Sequence, residues 1–364
     1  MSAPAALPNW CHLAQYPAGE LPFSIAVVCG GRSSEREVSL KSGRGIAEAL
    51  RKPGNRSARE VFVLEAGSDG SCIIGGEAMP PTRAVELLPA ATVFLLALHG
   101  GEGEGGEWQG FLQIAGRVHT GAPVAASALC LDKVRSRHIF ASAGLELAHG
   151  LSFAGQGFAE QATSLATSQA TSLAARIRAL GPGPWFVKAS LGGSSVAMQR
   201  WHANEDLEQR LRALPELPRP EQWLVEQAVA GIEVTVPLLE DRHGGLQVLP
   251  VVEIRPQAAG WFDYHEKYAD DGALELCPPQ NVADSQLAAL ETAARRAWNA
   301  AGLSGYARLD FLVPADRPPV LLEANTLPGF TSRSLFPLSA SRIGLPYREL
   351  CLELAAQAWG RTRG

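Results

Sequence analysis

The first third of the chain alternates short apolar runs with segments of helical spacing. The apolar runs have the length and composition of buried strands, and they stand at Ser24–Val28, Val61–Leu64 and Thr92–Leu98. Between the first two, Val38–Leu50 carries apolar side chains at helical spacing, and Ser34 with Glu37 three residues later is a capping-box pattern for that helix. This alternation predicts an open α/β sheet over residues 22–121.

The rest of the chain predicts mostly strands, with a helix at the end. The strands are expected at Trp185–Lys188, Val196–Arg200, Trp223–Glu226, Ile232–Leu238, Ala307–Val313 and Val320–Glu323, and the helix at Tyr347–Trp359. Three similar tetrapeptides over residues 162–173 indicate a surface helix or loop that grew by duplication. Residues 1–20 lack the basic and apolar regions of a signal peptide, and we expect a loose tail there.

Length and composition limit the class of protein. A chain of 364 residues is too long for one ordinary core, which favours two or three subdomains. The net charge of -5, without a long basic stretch, gives no reason to expect nucleic acid or a membrane as a partner. None of the six cysteines forms a CxxC pair, so free thiols in a reducing cytoplasm are the simplest interpretation. We therefore predict a cytoplasmic protein.

The sharpest geometric prediction is a hairpin around residue 316. Antiparallel pairing about that turn predicts three facing pairs, which are Val313 with Val320, Asp310 with Glu323, and Arg308 with Asn325. The last two pairs share one face of the sheet, where two carboxylates directly opposite each other would repel. A divalent cation removes that repulsion, and Asp310, Glu323 and Asn325 offer the oxygen ligands that magnesium takes. The alternative is a solvated hairpin face that carries an Arg–Asp pair.

A glycine- and serine-rich loop, Gly192–Ser195, follows the strand that contains Lys188. Its glycines let backbone amides approach a phosphate, its serines add donors, and Lys188 supplies a positive charge. It is not a Walker P-loop, because no Gly-Lys-Ser/Thr opens a helix. On its own, the loop is better explained as a flexible turn. Together with the acidic hairpin, it indicates phosphoryl chemistry.

These motifs resemble the D-alanine–D-alanine ligases of the ATP-grasp superfamily, from Ile25 to about Leu350. The matching pieces are Gly30–Ser39, Ala97–Gly105, Trp108–Gly110, Asp132–Lys133, Lys188–Val196, Glu226, Glu233, Asp263–Tyr268, Arg308–Asp310 and Leu322–Leu335. The resemblance implies an α/β, ATP-grasp fold with three subdomains. These are an N-terminal substrate-binding subdomain over 22–121, a central one over 122–226, and a C-terminal one with the metal site and a lid loop over 227–364. ATP is expected between the last two.

The resemblance also implies roles for individual residues. ATP is expected to be held by Lys133, Lys188, Ser195, Glu226, Glu233 and Lys267, and two magnesium ions, replaceable by manganese, by Asp310, Glu323 and Asn325. The first amino acid is expected at Glu35 and His99, with Ser194 and Tyr268 completing a network that closes the lid. Arg308 and backbone amides near Gly329 are expected to stabilise the oxyanion, and Ser334 and Leu335 to bind the second amino acid.

The reaction that these roles imply is the ATP-dependent joining of two D-alanines through an acyl phosphate, for peptidoglycan precursor synthesis. The resemblance further implies that the protein is a homodimer and that its binding partners are small amino acid substrates. One alternative is a related ligase whose second substrate is D-lactate or another amino acid, and another is a nucleotide-binding regulatory protein without chemistry. Three residues keep a structural alternative: His99 as a buried structural histidine, Glu104 as a solvated loop residue, and Ser34 as a helix cap only.

Overall fold

The computed structural model describes residues 7–154, 164–191, 198–218, 221–256 and 273–361, with the backbone alone for 164–168. The strands are β1 (Gly19–Glu20), β2 (Ser24–Gly30), β3 (Arg56–Ser57), β4 (Val61–Ala66), β5 (Cys72–Ile74), β6 (Glu77–Met79), β7 (Thr92–Leu96), β8 (Val118–His119), β9 (Gly150–Ala154), β10 (Trp185–Ala189), β11 (Gln199–Trp201), β12 (Gln222–Gln227), β13 (Ile232–Glu240), β14 (Leu246–Val248), β15 (Val252–Arg255), β16 (Leu274–Leu276), β17 (Tyr306–Val313) and β18 (Val320–Asn325).

The helices fill the connections between these strands. They are a 3-10 helix at His12–Gln15, α1 (Arg36–Arg51), α2 (Pro81–Leu87), α3 (Gly101–Glu104), α4 (Glu107–Ile114), α5 (Val124–Leu131), α6 (Lys133–Ser142), α7 (Ser164–Arg178), α8 (Leu207–Arg212), α9 (Asp284–Ala301), α10 (Leu335–Arg342) and α11 (Tyr347–Arg361). In the part of the chain that the structure describes, no helix is long and apolar enough to cross a membrane. All six cysteines are free, as predicted, and all six are buried.

The N-terminal sheet has the strand order β6-β5-β4-β2-β7-β8. The strands β4, β2, β7 and β8 run parallel to one another. At one edge of the sheet, β5 and β6 are joined by antiparallel pairing. Every residue of β2 is buried, because α1 packs across it. A side chain at Gly43 of α1 would put its Cβ 2.4 Å from the Cβ of Cys29, so the helix lies as close to the strand as glycine allows. The predicted α/β sheet is confirmed.

Both ends of the described chain close the core of this sheet. The rings of Phe23 and Trp359 lie 5.4 Å apart, and Leu13 is fully buried with them. The buried carboxylate of Glu353 on α11 accepts hydrogen bonds from the backbone N–H groups of His12 (2.8 Å) and Leu13 (2.7 Å). The prediction of a loose tail is therefore wrong for residues 7–20, because the carboxylate and the apolar core fix them. The subdomain boundaries stay a prediction.

The central sheet is antiparallel, in the order β11-β10-β12-β9. Its core joins Trp185 and Trp201 of the sheet to Leu173 and Ile177 of α7. The tetrapeptide repeat thus lies largely in a helix, which is one of the two structures predicted for it. The helix is not confined to the surface, however, because its second half lies in the core.

The C-terminal sheet has the order β16-β15-β13-β17-β18, with β14 on β13. One face is apolar and packs under α9, and the other carries the polar residues of the hairpin. The facing pairs Asp310 with Glu323 and Arg308 with Asn325 are confirmed. The predicted pair Val313 with Val320 is wrong, because an irregularity after Asp310 shifts the register and brings Leu312 opposite Val320.

Candidate active site

The carboxylate of Asp310 lies at the centre of the polar face of β17 and β18. It accepts two hydrogen bonds from the Arg308 guanidinium, at 2.9 and 2.8 Å, and one from Asn325 Nδ2 at 3.0 Å. Thr235 of β13, which is directly opposite Asp310 in the register, donates a fourth at 2.6 Å. Asp310 is only 7% exposed. The Arg–Asp pair of the alternative is present, but on a buried face and not a solvated one.

Lys133 links the hairpin to the central part of the chain. Its Nζ lies 4.0 Å from Glu323 Oε2, and both side chains are mostly buried. Lys133 opens α6, whose N-terminus is capped by the Asp132 carboxylate, and its backbone N–H donates to Ser190 O at 2.9 Å. Ser190 stands two residues after Lys188. The start of α6 is thereby tied to the strand that carries the other predicted phosphate lysine.

The donor set of the hairpin fits the chemistry of a magnesium site. Asp310 and Glu323 face each other on one side of the sheet, with Asn325 beside them, and all three offer hard oxygen ligands. The repulsion between the two carboxylates is offset in this structure by the cations of Arg308 and Lys133. Among the described residues, no group of three or more His, Cys, Asp or Glu side chains is placed to hold a metal ion. Two carboxylates and one amide, completed by phosphate oxygens, would be the ligands.

Glu35 stands just before α1 and is buried. Gly100 has a φ of +63°, which favours glycine, and a Cβ there would lie 2.6 Å from Glu35 Oε2 and displace that carboxylate. Ser33 holds this loop, because its Oγ donates to His99 O (2.5 Å) and accepts from Glu35 N–H (3.2 Å). The predicted Ser34 cap is wrong: α1 begins after Glu35, and no side chain caps it.

Glu104 lies at the end of α3, beside this loop. Burial, together with the negative charges of Glu35 and Glu323, raises the pKa of Glu104 to about 8, and the Lys133 cation opposes the increase. Glu104 is partly exposed, so its solvated alternative stays open. The charges of Glu35 and Glu323 both act on this residue.

His99 is buried and uses both ring nitrogens inside the protein. Nδ1 lies 3.1 Å from Leu327 O, which can only accept, so Nδ1 carries the proton and Nε2 accepts from Ser42 Oγ at 3.1 Å. Burial lowers the pKa of His99 to about 4, with a further contribution from the Arg308 charge. The structural alternative for His99 describes these contacts, and a contact with the first substrate stays a prediction.

The second group of predicted residues lies on the central sheet. The carboxylate of Glu226 on β12 is paired with Lys188 on the neighbouring strand β10, with 2.5 Å between Nζ and Oε2. Its other oxygen accepts from Arg137 of α6. Glu233 lies on β13, on the same face as Thr235 and Asp310, and is partly buried. The two ends of the predicted ATP site are thus built from different sheets.

The predicted pocket for the second amino acid lies at the start of α10. Ser334 Oγ accepts from Thr331 N–H at 3.0 Å and stands beside Gly329. Leu335 packs against Val252 and Ile254 on the polar side of the C-terminal sheet. The predicted pocket for the second amino acid therefore lies on the same side of the sheet as the hairpin carboxylates.

Four predicted site residues lie outside the described residues. They are Ser194, Ser195, Lys267 and Tyr268. Their roles stay predictions.

Sequence reasoning missed three residues of this region. Thr235 and Arg137 hold predicted site carboxylates, and each lies far along the chain from its partner. Glu275 on β16 lies on the polar side of the sheet, where burial raises its pKa and the Arg308 charge opposes the increase. For Thr235, the signal was available: alternation along β13 places it on the same face as Glu233.

The family model described as D-ala D-ala ligase C-terminus matches residues 143–356. A D-alanine–D-alanine ligase of Gloeobacter violaceus is 37% identical over 330 residues, which is 90% of this chain and 96% of the relative. The chain belongs to the D-alanine–D-alanine ligase family. The relative from Bordetella petrii is 35% identical, over 92% of this chain and 91% of its own.

Solved structures of the family show the same fold. The VanG D-Ala:D-Ser ligase of Enterococcus faecalis superposes with a TM-score of 0.72 and is 25% identical, covering 93% of this chain and all of its own. The predicted α/β, ATP-grasp fold is thereby confirmed. The family consists of ATP-dependent ligases, and the chain is an enzyme of that class.

Proposed function

We propose that this enzyme joins two D-alanine molecules, with cleavage of ATP to ADP and phosphate, in cytoplasmic synthesis of peptidoglycan precursors. The observation that carries the proposal is the meeting of three groups at the hairpin. Lys133 comes from α6 and the Asp310–Glu323 pair from the C-terminal sheet. Glu104, whose backbone N–H donates to Gly100 O beside Glu35, lies within reach of the charges of Glu35, Glu323 and Lys133. Charges for a phosphate, a metal and an amino-acid ammonium are therefore within one region.

In the proposed reaction, the carboxylate of the first amino acid attacks the γ-phosphate of ATP and forms an acyl phosphate. Lys133 and Lys188 neutralise charge on the phosphate oxygens. Glu35 binds the ammonium of the first substrate. The amine of the second amino acid, once deprotonated, attacks the acyl carbon, and phosphate leaves. Arg308 donates to the oxyanion, and one such donor contributes about 3–4 kcal/mol to a transition state.

Magnesium is part of the proposal, with Asp310, Glu323 and Asn325 as its ligands and manganese as a substitute. When bound, the ions neutralise charge on the transferring phosphoryl group. In this structure Asp310 has all its acceptor positions in use by Arg308, Thr235 and Asn325. Metal binding therefore requires at least one of these donors to turn away. If that donor is Arg308, its guanidinium can turn toward the oxyanion. The proposed assembly is a homodimer.

ADP release across a panel of D- and L-amino acids tests the proposal. We expect stimulation by D-alanine and a dipeptide product by mass spectrometry. Glu323→Gln should lower magnesium-dependent turnover by about 100-fold or more, the scale for losing a group that stabilises transition-state charge. Asp316→Asn, an exposed change on the turn of the same hairpin, is the matched control. ATP binding without stimulation by any amino acid would instead support the regulatory alternative.

A ligase with another second substrate is the alternative worth separating. The similar fold of a relative named as a D-Ala:D-Ser ligase motivates it. The panel should therefore pair D-alanine with D-serine and with D-lactate in competition. Mixed products formed in preference to D-alanyl-D-alanine would favour this alternative.

A further inference from the structure

Glu226 is the carboxylate of a buried three-residue ion cluster with two cations. Lys188 pairs with one oxygen at 2.5 Å, and Arg137 donates to the other. Exposure is 6% for Glu226, 16% for Lys188 and 17% for Arg137. One carboxylate among two cations leaves the cluster with an excess positive charge at the place where the proposed function puts a nucleotide.

The Lys188–Glu226 pair poses a difficulty for nucleotide binding. In the proposed function Lys188 serves the phosphates, and the family resemblance implies that Glu226 contacts the adenine, so their mutual contact has to break. Removing one partner of a buried ion pair leaves an uncompensated charge, which is strongly unfavourable. With Lys188 as its sole cation, Glu226 would hold the lysine back from ATP.

Arg137 can compensate the charge of Glu226 when Lys188 leaves, because it pairs with the other carboxylate oxygen. Its second nitrogen donates to Ala148 O at 2.6 Å, so the guanidinium is held at two points. Gly150 makes room for the contact: a Cβ there would lie 3.1 Å from Glu226 Cγ and 3.3 Å from Arg137 Nη2. Arg137 also stands one helical turn after Lys133 on α6, so one capped helix presents both cations.

We infer that Arg137 is a positioning residue for ATP. It compensates the charge of Glu226 and fixes that carboxylate at the adenine end, so that Lys188 can exchange Glu226 for a phosphate oxygen. The inference rests on the proposed function, in which Lys188 and Glu226 contact the nucleotide. It concerns Arg137 alone and makes no assumption about which amino acids are joined.

Direct binding of a non-hydrolysable ATP analogue, measured by calorimetry on the full-length protein with magnesium, tests the inference. Arg137→Met should raise the dissociation constant by about tenfold or more, which corresponds to a loss of about 1.4 kcal/mol. Arg137→Lys keeps the charge and should recover most of the affinity. Arg135→Met is the matched control, since Arg135 lies on the same helix with a 69% exposed side chain.

A double-mutant cycle separates positioning from a purely structural role. In a Glu226→Gln background the carboxylate no longer holds Lys188, and Arg137→Met should then change the affinity by less than about twofold. A full tenfold penalty in that background would overturn the inference and assign Arg137 to supporting the Ala148 turn. Equal affinities of wild type and Arg137→Met would also overturn it. No binding of the analogue to wild type would instead refute the proposed function.

Discussion

The buried, neutral His99 gives a quantitative prediction about pH. The folded protein holds the pKa of His99 at about 4, against 6.5 for an unperturbed histidine. As pH falls below 6.5, the unfolded chain takes up a proton that the folded protein cannot accept until about pH 4. The contribution of the neutral His99 to the free energy of unfolding is therefore complete above pH 6.5, and it is lost as the pH falls. At about pH 5 the loss is about 2 kcal/mol, from the ratio of the two binding polynomials.

Urea unfolding of wild type and His99→Asn, at about pH 7.5 and about pH 5, measures this difference. The variant should be less stable at the higher pH, because it loses packing and the Ser42 hydrogen bond. Between the two pH values, however, it should lose about 2 kcal/mol less than wild type. His202→Asn, at an exposed histidine, should keep the wild-type pH dependence. Parallel pH dependences for wild type and His99→Asn would refute the assignment of a buried neutral imidazole.

Three further changes test the packing and the site. Gly43→Ala should destabilise the protein by about 1–3 kcal/mol through overpacking, whereas Gly45→Ala on the same helix should stabilise it by up to about 1 kcal/mol, both by thermal unfolding. Thr235→Val should lower turnover by about tenfold or more in the ADP-release assay, because a buried hydrogen bond to the Asp310 carboxylate contributes about 1.5–3 kcal/mol. Glu353→Ala should cost about 3 kcal/mol by leaving buried backbone donors unpaired, measured by urea unfolding.

Each of these changes has a control and a contradicting outcome. Equal stabilities for the two glycine variants would show that α1 does not lie against β2 as described. Thr292→Val, at an exposed position of α9, should leave turnover unchanged, and unchanged turnover in Thr235→Val would remove Thr235 from the site. Glu349→Ala, one turn before Glu353 and partly exposed, should cost less than about 1 kcal/mol. An equal loss in both glutamate variants would argue against the buried cap.

The hairpin shows how far sequence alone reaches. The predicted pairing of Asp310 with Glu323 is correct, and strand alternation places Arg308 and Asn325 on the same face because side chains repeat every second residue. The same rule failed for Val313 and Val320, since one inserted residue shifts the register and no pattern locates such a residue. The predicted register is therefore correct only on the side of the bulge away from the turn, where the predicted metal ligands lie.

Contacts between distant segments could not be predicted. Arg137 and Glu226 meet because α6 packs beside β12, and each residue alone has the pattern of an ordinary helix or strand residue. The segment at His12 has too few apolar residues to predict burial by itself. The apolar residues that bury this segment and the carboxylate that binds it both include residues of α11, which is distant from it along the chain. The resemblance to the family supplied roles for site residues, but not these supports.

The position of α11 has a consequence for the order in which the protein is made. β2 and β7 leave the ribosome long before Trp359 and its neighbours, which cover part of their core. During translation, the N-terminal sheet has to wait with an apolar surface uncovered, and such surfaces are prone to aggregate. A chain that stops before Tyr347 keeps that surface exposed. Truncation before Tyr347 is therefore expected to yield insoluble protein even though every predicted catalytic residue has been made.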